Sequence, residues 1–302
     1  VLSIAGSEIR GNSLTAAGSG DSGGAGVTVI AGTVAITNSV ITQNAATGGS
    51  GGGLLFMVGT VASLVGSSVT NNTADEGGGV FNTENSALVI SDSQFFGNQG
   101  RNGGAVSNES NATLFIGDSI FRNNWATGDG GAIFQFAATT TIDKTQFELN
   151  SGRNGGAVLN TGRATSFIGT MSISSSTFVT NTAAIHGGAI YNARDSVLNV
   201  TGSTISTNQA LTGNGGGIAN IGETTFRGGT VTVVDSNILN NQALGSTAPT
   251  GGNTGGGGIY SFKNNVVVTR STINGNQATN GSGGGIFVEQ GNLVVADSTV
   301  TN

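Results

Sequence analysis

Few side chains in this 302-residue chain can do acid–base chemistry: 10 Lys+Arg, 16 Asp+Glu and a single His. The densest set stands just before a series of Gly-Gly pairs and reads Asp75 and Glu76, then Arg101, Asp129, Arg153 and His186. Glu76 and Asp129 are the candidate catalytic carboxylates. If the chain stacks in successive coils they would lie two rungs apart, roughly 9–10 Å, near the separation that inverting glycosidases use around a water. The alternation of acid and Arg supports a plainer reading, a solvated ladder of surface ion pairs that adds little stability. That reading is preferred, and no catalytic residue is assigned. Asp also precedes a recurring Ser at Asp92, Asp118, Asp235 and Asp297. Asp92 and Asp118 would sit on adjacent coils and could share a Ca²⁺ with nearby carbonyls, but the dense acidic loop of a dedicated calcium motif is missing, so no metal is assigned. With no Cys and one His, disulfides, thiolate centres and multi-His sites are excluded. No cofactor is expected. Trp125 and Tyr260 are placed outside the core columns, where either could touch a sugar or a partner. The Asn-x-Ser/Thr triplets at Asn71, Asn108, Asn111, Asn199 and Asn280 are what an Asn- and Thr-rich repeat produces by accident.

These side chains are positioned by a repeat. Ser or Thr, then a large apolar residue two positions on, then Asn five positions on, recurs from Ser7 to Ser298 at spacings of 26 to 35 residues. The apolar position holds Phe95, Phe121, Phe147 and Phe178 in four successive units, and the Asn position holds Asn98, Asn124, Asn150, Asn181 and Asn208 in five. Three and five residues before the Ser/Thr stand further apolar residues, such as Leu88 and Ile90 or Leu114 and Ile116. This period-two alternation marks a strand with one buried face. A Gly-Gly-Ala/Gly-apolar run precedes it and suits a sharp corner. No 3.6-residue apolar period is present, and the Gly and β-branched content discourages helices.

A unit of about 26 residues cannot bury its apolar face alone, so it must stack on its neighbours. The spacing therefore predicts an all-β fold: a right-handed parallel β-helix (β-solenoid) of about eleven coils of 26–35 residues, with three strands and three corners per coil. One β-helix domain is expected over residues 1–302, as a segment of a longer repeat protein or of a polymer. Phe is expected to stack on Phe and Asn on Asn, the amides pairing rung to rung. Extra residues of the longer units fall in loops, the largest being Gly245 to Thr254 with the only Pro, Pro249. A net charge of −6 argues against a nucleic-acid partner. No apolar run approaches the ~20 residues of a membrane-spanning helix.

GGA followed by Ile or Val, at Gly103, Gly130, Gly155 and Gly187, together with Phe-x-x-Asn at Phe95–Asn98, Phe121–Asn124, Phe147–Asn150 and Phe178–Asn181, resembles the repeats of the polymorphic outer-membrane proteins of chlamydiae. The resemblance is tight over about residues 77–210 and degenerate elsewhere. It implies a pectate-lyase-like β-helix exoprotein: a surface-exposed or secreted adhesin passenger. The expected role is thus a non-enzymatic, extracellular structural or adhesive β-solenoid of a bacterial cell surface. Two alternatives stand beside it, a filament or sheath subunit stacking end to end and a polysaccharide lyase or hydrolase. The partners expected are a host or neighbouring-cell surface, a polysaccharide matrix, or copies of the chain itself.

Overall fold

The computed structural model describes residues 1–15, 23–162, 168–194, 196–222, 229–245 and 254–301. Among these there is no helix, and every pair of neighbouring strands is parallel, giving four sheets of eleven, eleven, ten and ten strands. The chain is a β-solenoid. One turn reads Thr113–Gly117 in the first sheet, Ile120–Arg122 in the second, Trp125–Ala126 in the third and Ile133–Phe136 in the fourth. Equivalent residues of successive units are register partners, as in Ile90 on Ile116, Ile116 on Ile142, and Phe121 on Phe147.

The expected three strands per turn are corrected to four. The residues after the Gly-Gly corner are not part of the turn; they pair as a strand of their own, Val80 to Asn82 on Val106 to Asn108. This strand adds an inward apolar residue and an inward amide to each unit, and a fourth corner returns the chain to the first sheet. Of the Gly245–Thr254 loop, residues 246–253 lie outside the described residues.

Corners are made by single residues in the left-handed conformation. The residue before each Ser/Thr marker has positive φ, including Asn38, Asp92, Asp118, Lys144, Asp235 and Arg270 at +45° to +50°. So does the residue before each ladder Asn, among them Asn71, Asn123, Leu149 and Thr180 at +52° to +56°. Asn, Asp and Gly reach this region at the lowest cost, which explains their density along the chain. The Gly-Gly corner asks for more: Gly130 has φ +67°, and a Cβ on Gly131 would run into the carbonyl oxygens of Gly156 and Ser151 on the next coil.

Sharp corners leave backbone N–H groups without strand partners, and side-chain ladders take them. The N–H of Asn98 donates to Oδ1 of Asn124 at 3.1 Å, while its Nδ2 donates to the same Oδ1 at 3.0 Å and to the carbonyl of Val69 at 2.8 Å. The same three bonds recur at Asn124, Asn150, Asn181 and Asn208. The Ser/Thr markers work alike: the N–H of Ser93 donates to Oγ of Ser119 at 3.2 Å, and Ser93 Oγ donates to its own coil at the Ser91 carbonyl. Inside the ladders the four Phe rings stack at centroid distances of 4.5, 5.0 and 4.6 Å, fully buried.

A second amide ladder runs through the fourth sheet. Asn82 donates to Asn108, Gln135 to Asn160, Asn160 to Asn192 and Asn192 to Asn220, at 2.7 to 2.9 Å. Asn108, the second of the Asn-x-Ser/Thr triplets, is fully buried in this column.

Candidate functional site

Between the third and fourth sheets the Gly-Gly corner brings the chemistry-bearing residues together. The bonds from Gly77 N to Asn102 O, Gly103 N to Asp129 O, Gly130 N to Asn154 O and Gly155 N to His186 O define one column: Glu76, Asn102, Asp129, Asn154, His186. Arg101 and Arg153 occupy the preceding position, aligned through Gly128. The acid–Arg alternation is therefore corrected to acid–amide alternation with the two guanidiniums alongside. The cause is position relative to the corner: Arg101 and Arg153 stand two residues before its first glycine, and Glu76, Asn102, Asp129, Asn154 and His186 stand one before it.

This column is itself a ladder. Asn102 Nδ2 donates to Glu76 Oε1 at 3.2 Å, and its Oδ1 accepts from the N–H of Asp129 at 3.0 Å. Asn154 repeats the pattern, donating to Asp129 Oδ1 at 3.0 Å and accepting from the N–H of His186 at 3.2 Å. His186 Nδ1 then accepts from the N–H of Asn214 at 3.0 Å. His186 is half-buried and committed: burial, then the nearby Arg153, pushes it down to about 4, so it is held neutral. Glu76 moves the other way. Burial, then Glu109, pushes its carboxyl up to about 7, against the pull of Arg101 and Asn102. Arg101 makes an ion pair with Glu76 Oε1, and Oε2 has no hydrogen-bond partner among the described residues.

Glu76 and Asp129 do stand two rungs apart, and Asn102 fills the rung between them. Asp92 and Asp118 are exposed corner residues at φ +50° and +47°, a conformation that accounts for their type. Lys144 follows Asp118 in the same column of corner residues. Tyr260 is fully buried, against the expectation that it lies outside the packed columns; burial and then Glu289 raise its hydroxyl pKa well above the ordinary value. Trp125 is 43% exposed on the third sheet. The Phe and Asn columns have no solvent access and serve the fold.

Alongside the polar column the outer face of the fourth sheet is apolar. Phe134, Leu159 and Tyr191 are successive register partners on that face, and Phe136 and Ile221 lie one outward position further along. With Asp129, Arg153, Asn154 and Arg194 they line a cleft of about 380 Å³. On the other side of the corner Trp125, Ser151, Thr182 and Leu211 line a second cleft of about 350 Å³, and Arg153 lines both. The aromatic floor is absent from the sequence reading. Its signal is the outward position of the fourth strand, where Phe134 and Tyr191 stand in place of Ser107 or Ala219.

Residues 118–135 and 175–193 match the Chlamydia polymorphic membrane protein repeat. No curated protein and no solved structure matches the chain. Each matched stretch runs from the residue before a Ser marker, through Phe-x-x-Asn, to the strand after Gly-Gly-Ala-Ile. With its four parallel sheets and amide ladders, the chain is a β-solenoid that matches the Chlamydia polymorphic membrane protein repeat at 118–135 and 175–193.

Proposed function

We propose that this chain is a non-enzymatic, surface-exposed rod that presents a binding face outward from a bacterial cell, an adhesive role. The observation that carries this reading is the polar column at the Gly-Gly corner. Glu76 Oε1 and Asp129 Oδ1 each accept a rung-to-rung hydrogen bond from an Asn, and a hydrolase would need a water where the Asn102 side chain bridges Glu76 and the N–H of Asp129. The repeats point the same way, since their family is named for membrane proteins. The clefts on either side of the corner are where the rod offers aromatic and charged groups to a partner.

Beads coated with the chain are expected to attach to epithelial cell monolayers above the level of beads coated with an unrelated protein. Attachment at background on every cell type tried would sink the adhesive role. In parallel, product release from a polysaccharide panel is expected to be nil; turnover that Asp129→Ala abolishes would replace this reading with a hydrolytic one.

A further inference from the structure

We propose that the two clefts flanking the Gly-Gly corner form one saddle that binds an acidic saccharide, with a sugar ring against Tyr191 or Trp125 and its carboxylate on the Arg153 guanidinium. This rests on the adhesive reading and names the class of ligand that the adhesive face takes.

Aromatic side chains are concentrated here. The chain has one Trp and two Tyr. The Trp and one Tyr stand in the two clefts that share Arg153, while the second Tyr is buried. Phe134 and Phe136 extend the same floor. Flat, partly exposed aromatic faces bordered by amide and carboxylate groups suit a ring with one C–H face and a rim of hydroxyls. Asn154 and Asp129 supply that rim, and Thr161 adds a hydroxyl.

The charge at the saddle runs against the molecule's net −6. Arg10, Arg101, Arg122 and Arg270 each make an ion pair, whereas Arg153 makes none among the described residues. Asp129, the acid that shares its cleft, already accepts from Asn154. Arg194 adds a second cation, steadied by its bond to the Gly162 carbonyl at 3.2 Å. A planar guanidinium takes a carboxylate through two parallel hydrogen bonds, which a neutral sugar cannot offer. Each cleft also lies within the range of small-ligand sites, about 300–1,000 Å³.

Calorimetric titration of the full chain with galacturonate oligomers, sialyllactose and hyaluronate oligomers tests this, with the methyl ester of each and a neutral galactose oligomer alongside. Saturable binding of at least one acidic sugar is expected, weakened tenfold or more in its ester. Fluorescence of Trp125, the only Trp, should shift with the same midpoint. Arg153→Gln and Tyr191→Ala are each expected to weaken binding tenfold or more, and Arg270→Gln, at a distant corner, to leave it unchanged. Equal affinity for acid and ester, an unaffected Arg153→Gln variant, or no binding of any acidic sugar would each overturn the proposal. Beads that still attach to cells while no acidic sugar binds would remove the saccharide and leave the adhesive role. Sugar binding without cell attachment would do the reverse.

Discussion

Asn124 shows how much one residue carries. Its Oδ1 accepts from two donors of Asn98, and its Nδ2 donates to Asn150 and to the Phe95 carbonyl. Asn124→Ala strands several buried groups at once. Each unsatisfied group costs roughly 1–3 kcal/mol, so urea denaturation should show a loss of at least ~2 kcal/mol. Asn199→Ala, on the outer face of the first sheet, should stay within ~0.5 kcal/mol. Leu149 gives a prediction of opposite sign. It holds a corner at φ +56° with its side chain 42% exposed, in a column where other units place Gly97, Asn123 or Asn240. A left-handed conformation costs an ordinary residue about 1–2 kcal/mol. Leu149→Asn should therefore raise stability by about 1 kcal/mol, and an unchanged or lowered urea midpoint would mean that Leu149 packs in a way its exposure conceals. The ladder amides and stacked Phe were legible in the sequence because burial on both sides ties each position to one residue type. The corner residues were less so, because the left-handed region accepts Asp, Lys, Leu and Thr when neighbouring rungs hold them.

Strands are the next scale, and the Phe run through the second sheet is their clearest test. Phe95, Phe121, Phe147 and Phe178 form a stack with no exposed edge. Phe121→Ala opens a cavity between two rings and should cost about 3–5 kcal/mol. Phe121→Leu should cost clearly less, since Ile41 and Ile205 fill the same column in other units. Hydrogen exchange should show the protection lost in the Ala variant centred on Gln94–Phe96, Ile120–Arg122 and Gln146–Glu148, the paired strands around the gap. An even loss along the whole rod would argue against local stacking as the source. The fourth strand was harder to read than the second. Its own column changes residue type, from Asn to Gln135 and then to Ser261, and glycine in front of it suggests a turn. The saddle was illegible for a related reason. Arg101 and Arg153 stand two residues before the first glycine of the corner and the column residues one before it, but which outward side chains of the fourth strand flank that corner follows only from the strand pairing.

For the whole molecule, two buried groups in the Gly-Gly column set opposing pH dependences. Glu76 has its folded pKa raised from 4.5 to about 7. The folded state keeps its proton longer than the unfolded chain, so this group's contribution falls as pH rises from 4.5 through 7, by on the order of 2–3 kcal/mol. His186 has its folded pKa lowered from 6.5 to about 4. The unfolded chain binds that proton first, so stability falls as pH drops from 6.5 through 4, and protonating Nδ1 also breaks the bond from Asn214. Between about 4.5 and 6.5 the two slopes offset each other. Above 6.5 only Glu76 still titrates, and the urea midpoint should drop between pH 6.5 and 7.5. Glu76→Gln should flatten that drop and uncover acid destabilisation below 6.5, which His186→Asn then removes. A wild-type midpoint that rises from pH 6.5 to 7.5 would contradict the assignment to Glu76.

The amide ladder has a sense of direction: every rung from Asn44 to Asn241 donates toward the following unit and accepts from the one before. Any unit therefore offers its successor the same donor and its predecessor the same acceptor. Whole units become interchangeable parts that can be excised or duplicated without orphaning an amide. Excision of residues 119–144 joins Asp118 to Thr145 at equivalent places in the pattern and should leave a shorter protein with an unchanged circular dichroism spectrum. The rod is built so that its length can drift through evolution while its cross-section stays the same.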